Sequence, residues 1–309
     1  MAVREHLRFD TVPGETLREL EIEGEHFYYA YAPARSAHGG LLVLLHGVAS
    51  NGSRWEEFVE TSPLRENWAF LRVDLRGHGG NESTTQATLE RMADDVLILS
   101  KDIEPAVKRP ILLIGHSLGA QIAIRAAVRH PEEIDGLVLL DPLVTSALTP
   151  VATDKSVWLP FFRLTEVVFR LFNKLGIARR LPKYSLRRDD ERAREMLQKG
   201  GEAFDEFIRD FSSPWNDIVH VHLAVYARDL LEVSRPTPDL TVFKAPVFVL
   251  ASSAGVFTDP KRMNDWTAEL FDGEMATVNC AHWPLTECPM DVSRDIGAWT
   301  ERKFPASDR

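Results

Sequence analysis

The stretch that most constrains this chain runs from Ile111 to Gly119 and reads ILLIGHSLG. Its first four residues are all apolar, and they follow Pro110, which is typical of a buried strand in a parallel sheet. After Ser117 the apolar residues recur at helical spacing as far as His130. The stretch therefore predicts a strand, a sharp turn at Ser117 and then a helix.

The turn has the pattern Gly-x-Ser-x-Gly, with Gly115 and Gly119 on either side of the serine. Two glycines allow a crowded turn, and the start of the following helix offers backbone N–H groups to a developing negative charge. The alternative is a flexible loop, because this short pattern occurs often by chance. The strand and helix around the turn favour a nucleophilic serine.

Further apolar runs predict the rest of a sheet. Residues 17–22 and 27–31 flank a turn-like Glu-Gly-Glu and predict an antiparallel hairpin at one edge. Other runs predict strands that alternate with helical patterns, at 41–45, 69–73, 136–140, 246–250 and 276–278. This alternation predicts an α/β fold with a mostly parallel central sheet.

The alternation of strands and helices stops between residues 143 and 240. The pattern there predicts three helices, at 157–177, 187–211 and 217–233. We therefore predict a core made of residues 1–142 and 241–309, with residues 143–240 inserted as a helical lid. Charged residues within 157–177 make it a poor transmembrane span and favour an amphipathic helix.

The net charge of the chain is −10, which argues against nucleic acids and anionic membranes as partners. The N-terminus is charged and lacks the apolar segment of a signal peptide. Cys280 and Cys288 do not have metal-ligand spacing. These features predict a cytoplasmic protein with free thiols, no metal and no other cofactor, and they leave a homo-oligomer open.

The order of the strands, the His46-Gly47-Val48 motif, the Gly-x-Ser-x-Gly turn and a late histidine, His282, together resemble the α/β-hydrolase family. The resemblance covers the chain outside the predicted lid. It implies that His282 takes the proton of Ser117, and that the backbone N–H groups of Val48 and Leu118 bind an oxyanion. The side chain of His46 itself is interpreted as structural.

The carboxylate partner of the histidine is open between two aspartates. Many members of this family carry it after the strand that here is 247–250, yet residues 251–255 contain no acid. Asp259 comes later, where an aspartate is also suited to cap a helix. Asp141 ends the preceding strand, a position that a minority of the family uses. We favour Asp141 over Asp259.

Aromatic residues in the predicted lid suit a large apolar ester or lactone, although each of them is equally suited to packing the lid onto the core. They are Trp158, Phe161, Phe162, Phe169, Phe172, Tyr184, Trp215 and Tyr226. The chain length, the lid and the position of the acid are similar to those of lactonases of this family that open large macrolides such as zearalenone.

The leading hypothesis is a hydrolase that forms an acyl-enzyme on Ser117. The alternatives on the same residues are a cofactor-free dioxygenase, a carbon–carbon bond hydrolase and a ligand-binding protein with slow turnover. Epoxide hydrolase and dehalogenase chemistry is disfavoured, because those enzymes place an aspartate where this chain has Ser117.

Overall fold

The apolar runs of the sequence form neighbouring strands of one sheet in a computed structural model, which describes residues 11–36, 39–81, 87–103, 109–153, 158–175, 181, 184–211 and 213–305. The strands are β1 (Thr16–Ile22), β2 (Glu25–Ala32), β3 (Leu41–Leu45), β4 (Ala69–Val73), β5 (Ile111–His116), β6 (Gly136–Leu140), β7 (Val247–Ser252) and β8 (Gly273–Val278). Their spatial order is β1-β2-β4-β3-β5-β6-β7-β8. Strand β2 runs antiparallel to β1 and to β4, and all the other neighbouring pairs among these strands are parallel. The predicted α/β fold is confirmed.

Helices follow most of the strands and surround the sheet. They are α1 (Glu56–Thr61), α2 (Leu89–Ile103), α3 (Leu118–Arg129), α4 (Pro150–Thr153), α5 (Leu159–Lys174), α6 (Arg187–Lys199), α7 (Glu202–Phe211), α8 (Pro214–His220), α9 (Leu223–Val233), α10 (Pro260–Ala268), α11 (Pro284–Glu287) and α12 (Pro289–Lys303). Helices α4 to α9 all lie between β6 and β7 in the chain, and we call them the inserted helices.

Alternate residues of β3 pack into two different apolar layers. Leu41, Val43 and Leu45 share one layer with apolar residues of α2 and α3. Leu42 and Leu44 share the other with residues of α1 and α12. Because successive side chains of a strand point to opposite faces, a run that is apolar throughout is explained by helices on both faces. The loops at the carboxyl ends of the strands are therefore attached to a rigid, buried sheet.

The inserted helices are shorter than the sequence predicts. The predicted helix 187–211 is wrong as a single element, because it is broken into α6 and α7 at Gly200 and Gly201. Both glycines have positive φ, +65° and +57°, a conformation that ends a helix. Helical periodicity continues across such a break, so the pattern of apolar residues alone did not reveal it.

The predicted helix 217–233 is also wrong as a single element. Helix α8 begins earlier, at Pro214, and ends at His220, and α9 begins at Leu223. Val221 and His222 between them have extended backbone. The predicted helix 157–177 corresponds to α5, and positions 157, 176 and 177 lie outside the described residues. None of the described helices is both long and apolar enough to cross a membrane.

Helix α9 joins the inserted helices to the glycine-rich loop after β4. His78 in that loop contacts Asp229 of α9, with 2.9 Å between Nε2 and Oδ2, and both side chains are fully buried. A Cβ atom on Gly77 would lie 2.9 Å from Val225 Cγ1, so the backbone of the loop packs closely against α9. Helix α5 in turn packs mainly on α9.

Candidate active site

The turn from Gly115 to Gly119, here called the elbow, has a backbone that few sequences could adopt. Ser117 has φ +51° and ψ −107°, outside the usual regions for an L-residue. A Cβ atom on Gly115 would lie 2.3 Å from the carbonyl carbon of Gly119, and one on Gly119 would lie 2.4 Å from Leu45 O. The two glycines are therefore required sterically, and the serine stands between β5 and α3.

The loop after β3 packs directly against the elbow. A Cβ atom on Gly47 would come within 3.1 Å of His116 Nδ1, so only a short separation remains between the two segments. Val48 is half-buried in this loop, and Leu118 is the first residue of α3. The first N–H groups of a helix have no partner within the helix. The two predicted oxyanion donors thus lie in adjacent segments.

His46 has the structural contacts expected of it. Its Nδ1 donates to Gly47 O at 2.8 Å, and its Nε2 accepts from the N–H of Leu75 at 3.0 Å. Burial, together with the neighbouring His78, holds the pKa of His46 well below its usual value. A neutral ring with one donor and one acceptor fits both of these contacts.

Asp141 and His282 lie together although 141 residues separate them in the chain. Asp141 follows β6, and its Oδ2 is hydrogen-bonded to Nδ1 of His282. Its Oδ1 accepts from the N–H of Ser252 at 3.1 Å and from Thr258 Oγ1 at 3.4 Å. Both Asp141 and His282 are buried.

The pKa of Asp141 is the balance of opposing effects. Burial raises it, but the nearby His282 and the hydrogen bonds from His282 and from the N–H of Ser252 outweigh burial, so the pKa is lowered overall. The carboxylate is therefore ionised at neutral pH. An ionised, fully hydrogen-bonded carboxylate can orient an imidazole and stabilise it when it becomes charged.

Asp259, the other candidate acid, caps a helix. Its Oδ1 accepts from the N–H of Arg262 at 2.9 Å, at the N-terminus of α10. Its own N–H donates to Ala147 O at 2.8 Å. The structure thus brings Asp141, and not Asp259, into hydrogen-bonding contact with His282.

The backbone around His282 is held from two sides. On one side, the carboxylate of Glu287 accepts from three successive N–H groups, those of Ala281 (2.8 Å), His282 (3.2 Å) and Trp283 (2.9 Å). On the other side, Nε2 of His116 donates to His282 O at 2.9 Å. Neither Glu287 nor His116 was among the site residues predicted from the sequence. Their signals were local: an acid five residues after His282, and the residue before Ser117.

His116 also connects this loop to the elbow. Its ring centroid lies 5.2 Å from that of His282. Burial first, and then the nearby His282, lower the pKa of His116 to about 3. The ring is therefore neutral at pH 7 and has a single proton, which the contact with His282 O places on Nε2. The residue before Ser117, His116, is therefore hydrogen-bonded to the loop that carries His282.

We expect Glu287→Gln to destabilise the protein by about 1–3 kcal/mol, because one amide oxygen replaces two carboxylate oxygens and leaves buried N–H groups unpaired. Urea unfolding measures this loss, and amide hydrogen exchange of residues 281–283 should become faster. Glu301→Gln is the matched control, since Glu301 is exposed on α12, and we expect less than about 0.5 kcal/mol there. Equal losses in the two variants would contradict the capping role.

Aromatic side chains surround His282, but they are not those that the sequence suggested. Phe257 packs against the His282 ring at 4.6 Å between centroids, and Trp283 at 5.6 Å. Phe207 and Phe211 of α7 contact Trp283 at 5.6 and 5.5 Å. The adjacency of Trp283 to His282 in the chain was the one available signal.

The aromatic residues that the sequence analysis named for the lid have other surroundings. Tyr226 is buried and its hydroxyl donates to Asp217 at 2.9 Å. Tyr184 packs on His220 and is hydrogen-bonded to Asp189. Phe162 is partly buried. The remaining five are exposed: Trp158, Phe161, Phe169, Phe172 and Trp215.

In the part of the chain that the structure describes, no cluster of three or more His, Cys, Asp or Glu side chains could hold a metal ion. Cys280 and Cys288 are both free thiols, and Cys280 Sγ lies 3.2 Å from Ser252 Oγ.

Of two known relatives, one matches this chain over almost its whole length and the other over 43% of it. Rat (Rattus norvegicus) monoglyceride lipase is 25% identical over 314 residues, which cover 95% of this chain and 93% of the lipase. Mouse (Mus musculus) protein phosphatase methylesterase 1 is 29% identical over 138 residues. The chain spans about a third of that methylesterase, 36% of its length.

Solved structures show the same fold at low identity. A thermophilic esterase from Thermogutta terrifontis superposes with a TM-score of 0.65 at 20% identity, over 93% of this chain and 98% of the esterase. The enol-lactonase from Burkholderia xenovorans LB400 gives a TM-score of 0.66 at 17% identity, over 91% and 99% of the two chains. The model of the alpha/beta hydrolase family matches residues 42–295. With this match and the elbow described above, the chain belongs to the alpha/beta hydrolase family.

Proposed function

We propose that this chain is a serine hydrolase that cleaves a carboxylic ester or lactone through an acyl-enzyme on Ser117. The observation that carries the proposal is the buried hydrogen bond between Asp141 and Nδ1 of His282. The loop that carries His282 is also hydrogen-bonded to His116 of the elbow. The names of the relatives support ester chemistry, since they include a lipase, a methylesterase and an esterase.

The residues divide the reaction as follows. Asp141 accepts a hydrogen bond from Nδ1–H of His282, which keeps that proton on Nδ1 and leaves the lone pair of Nε2 free to accept the proton of the Ser117 hydroxyl. The serine oxygen then attacks the ester carbonyl carbon, and the carbonyl oxygen becomes an oxyanion. When the tetrahedral intermediate collapses, His282 returns the proton to the leaving alcohol. Water, activated by the same histidine, then hydrolyses the acyl-enzyme.

The oxyanion is assigned to the backbone N–H groups of Leu118 and Val48. The N–H of Leu118 is at the start of α3, where the helix dipole favours negative charge. Val48 lies in the loop that packs on the elbow. Fixed donors of this kind stabilise charge that appears only during the reaction, so they lower the barrier more than they strengthen substrate binding.

The surroundings of His282 favour an apolar substrate. Phe257 and Trp283 pack against the imidazole. Phe207, which is fully buried, and Phe211 extend this aromatic cluster behind Trp283. Binding sites for apolar ligands are lined mainly by such side chains. We therefore extend the proposal to a large apolar ester or lactone.

A partition experiment tests the proposal. Purified protein is assayed with p-nitrophenyl esters of increasing chain length and with macrolactones, in the presence and absence of hydroxylamine. We expect hydrolysis in air and under argon alike, and the same ratio of hydroxamate to acid for esters that share an acyl group, because one acyl-enzyme precedes both products. Turnover that requires oxygen, or a ratio that varies with the leaving alcohol, would contradict it. Binding of the esters without turnover would instead indicate a ligand-binding protein.

A further inference from the structure

Helix α5 has its apolar side chains on the outside of the protein. Leu164 is 63% exposed, Leu171 56% and Trp158, just before the helix, 59%. We call the exposed apolar residues of this segment the α5 face: Trp158, Phe161, Leu164, Val167, Val168, Phe169, Leu171, Phe172 and Leu175. Contiguous exposed apolar surface of this extent is uncommon on monomeric soluble proteins and marks a surface that binds something.

The inner side of α5 explains why the apolar side chains face outward. Glu166 is the buried residue of the described part of this helix. Its Oε1 lies 3.3 Å from Nη1 of Arg170 and 3.6 Å from Nη2 of Arg228 in α9. A buried carboxylate needs such partners, so these ion pairs set the rotation of α5 on α9. That rotation leaves the apolar residues without cover from the described protein.

The charges of this segment indicate what the α5 face binds. The whole chain has a net charge of −10, but residues 158–188 contain eight basic residues and one acidic residue. The acidic residue is Glu166, which is buried in its ion pairs, whereas Arg163 and Arg188 are exposed. The acidic balance of the whole chain argued against anionic membranes. The net charge of residues 158–188 has the opposite sign, positive.

Aromatic and apolar residues on a helix that also carries basic residues are typical of a helix lying in the interface of a bilayer. Basic residues near that interface are attracted to anionic lipid headgroups. A second copy of this chain is a poorer partner, because a two-fold contact through the α5 face would bring two basic segments together.

We propose that the α5 face docks the protein on membranes that contain anionic phospholipid, with α5 parallel to the surface. The apolar side chains enter the boundary between headgroups and acyl chains, and the exposed Arg163 and Arg188 contact the headgroups. Docking of this kind is a property in addition to the proposed hydrolase activity, and vesicle binding measures it without any substrate.

Vesicle sedimentation tests the docking. The full chain is mixed with vesicles of phosphatidylcholine alone, or of phosphatidylcholine with 30% phosphatidylglycerol, at low and high salt. We expect binding to the anionic vesicles at least tenfold tighter than to the neutral ones, and weaker at high salt because the headgroup attraction is screened. Binding to neither vesicle, or equally to both, would overturn the proposal.

Variants locate the contact. Leu164→Ser with Leu171→Ser should weaken binding to the anionic vesicles at least tenfold, and Arg163→Glu should remove most of the preference for them. The matched control is Val242→Ser with Met290→Ser, which changes two exposed apolar residues outside α5 and should leave binding unchanged. Equal loss in the control would overturn the assignment.

The same variants separate a membrane from a second copy. Light scattering should give the same molecular mass for the wild type and for the Leu164→Ser, Leu171→Ser variant. Both proteins should also hydrolyse a short soluble ester at the same rate. A wild-type dimer that the double variant dissociates would overturn the proposal in favour of self-association.

Discussion

Ser117→Ala is expected to lower kcat by about a millionfold while the fold is retained, as for other serine hydrolases that lose their nucleophile. In the proposed mechanism the oxygen of this hydroxyl attacks the ester carbonyl carbon, yet the hydroxyl is one small group on a turn whose backbone is set by Gly115 and Gly119. Steady-state hydrolysis of the best ester, with thermal melts of both proteins, measures the two effects separately.

The matched control is Ser253→Ala, because Ser253 is exposed on the loop after β7 and its hydroxyl contacts Asn279. Its activity should stay within about twofold of wild type, as for most exposed substitutions away from a site. A fluorophosphonate should add its mass to the peptide that contains Ser117 in the wild type and not in Ser117→Ala. A Ser117→Ala enzyme that keeps even a tenth of its activity would exclude the acyl-enzyme on this residue.

Asp141→Asn is expected to lower kcat/KM by about ten-thousandfold, through the wrong tautomer of His282. The carboxylate accepts a hydrogen bond from Nδ1–H, whereas an asparagine can donate its amide N–H to Nδ1, and the ring proton is then on Nε2. A ring protonated at Nε2 cannot accept the proton of Ser117. The structure of the site should change little, because the two side chains have nearly the same shape.

Asp259→Asn is the comparison for this prediction. Asparagine caps helices about as well as aspartate, so α10 should be destabilised by no more than a few tenths of a kcal/mol and activity should be nearly unchanged. Kinetics and thermal melts of both variants decide between the aspartates. An active Asp141→Asn beside an inactive Asp259→Asn would mean that Asp259 serves His282 during turnover.

The lowered pKa of Asp141 also predicts how the stability of the protein changes with pH. Its pKa is lowered in the folded protein, so its ionised form stabilises the fold above the pKa of an unfolded aspartate. That contribution is lost as the pH falls from the unfolded value through the lowered folded value. Asp141→Asn removes it, and the variant should therefore lose less stability than the wild type over that acidic range.

Much of the fold was predictable because it rests on local patterns. A strand buried on both faces is apolar throughout, and a helix repeats its apolar residues every three or four positions. These signals located the strands and the helices α2 and α3. They failed at Gly200-Gly201 and at Val221-His222, because apolar periodicity runs on through a short break. At the first break the glycine pair itself was the signal in the sequence.

The outward rotation of α5 could not be predicted from the apolar periodicity either. An amphipathic helix normally turns its apolar side to the core. From the sequence, the aromatic residues of this helix suited substrate binding and core packing equally. The ion pairs of Glu166 with Arg170 and Arg228 join residues from two helices. Their geometry depends on how α5 lies on α9, which is a tertiary contact.

The sequence by itself determined the α/β fold, the elbow at Ser117 and the order of His46-Gly47-Val48, Ser117 and His282 along the chain. Each depends on residues a few positions apart, whose sterics and spacing are set locally. Only the tertiary structure decided which aspartate contacts His282, and which aromatic residues surround the imidazole. Those contacts join residues far apart in the chain, such as Asp141 and His282, and they form only when β6, β7 and β8 align side by side with their carboxyl ends at one edge of the sheet.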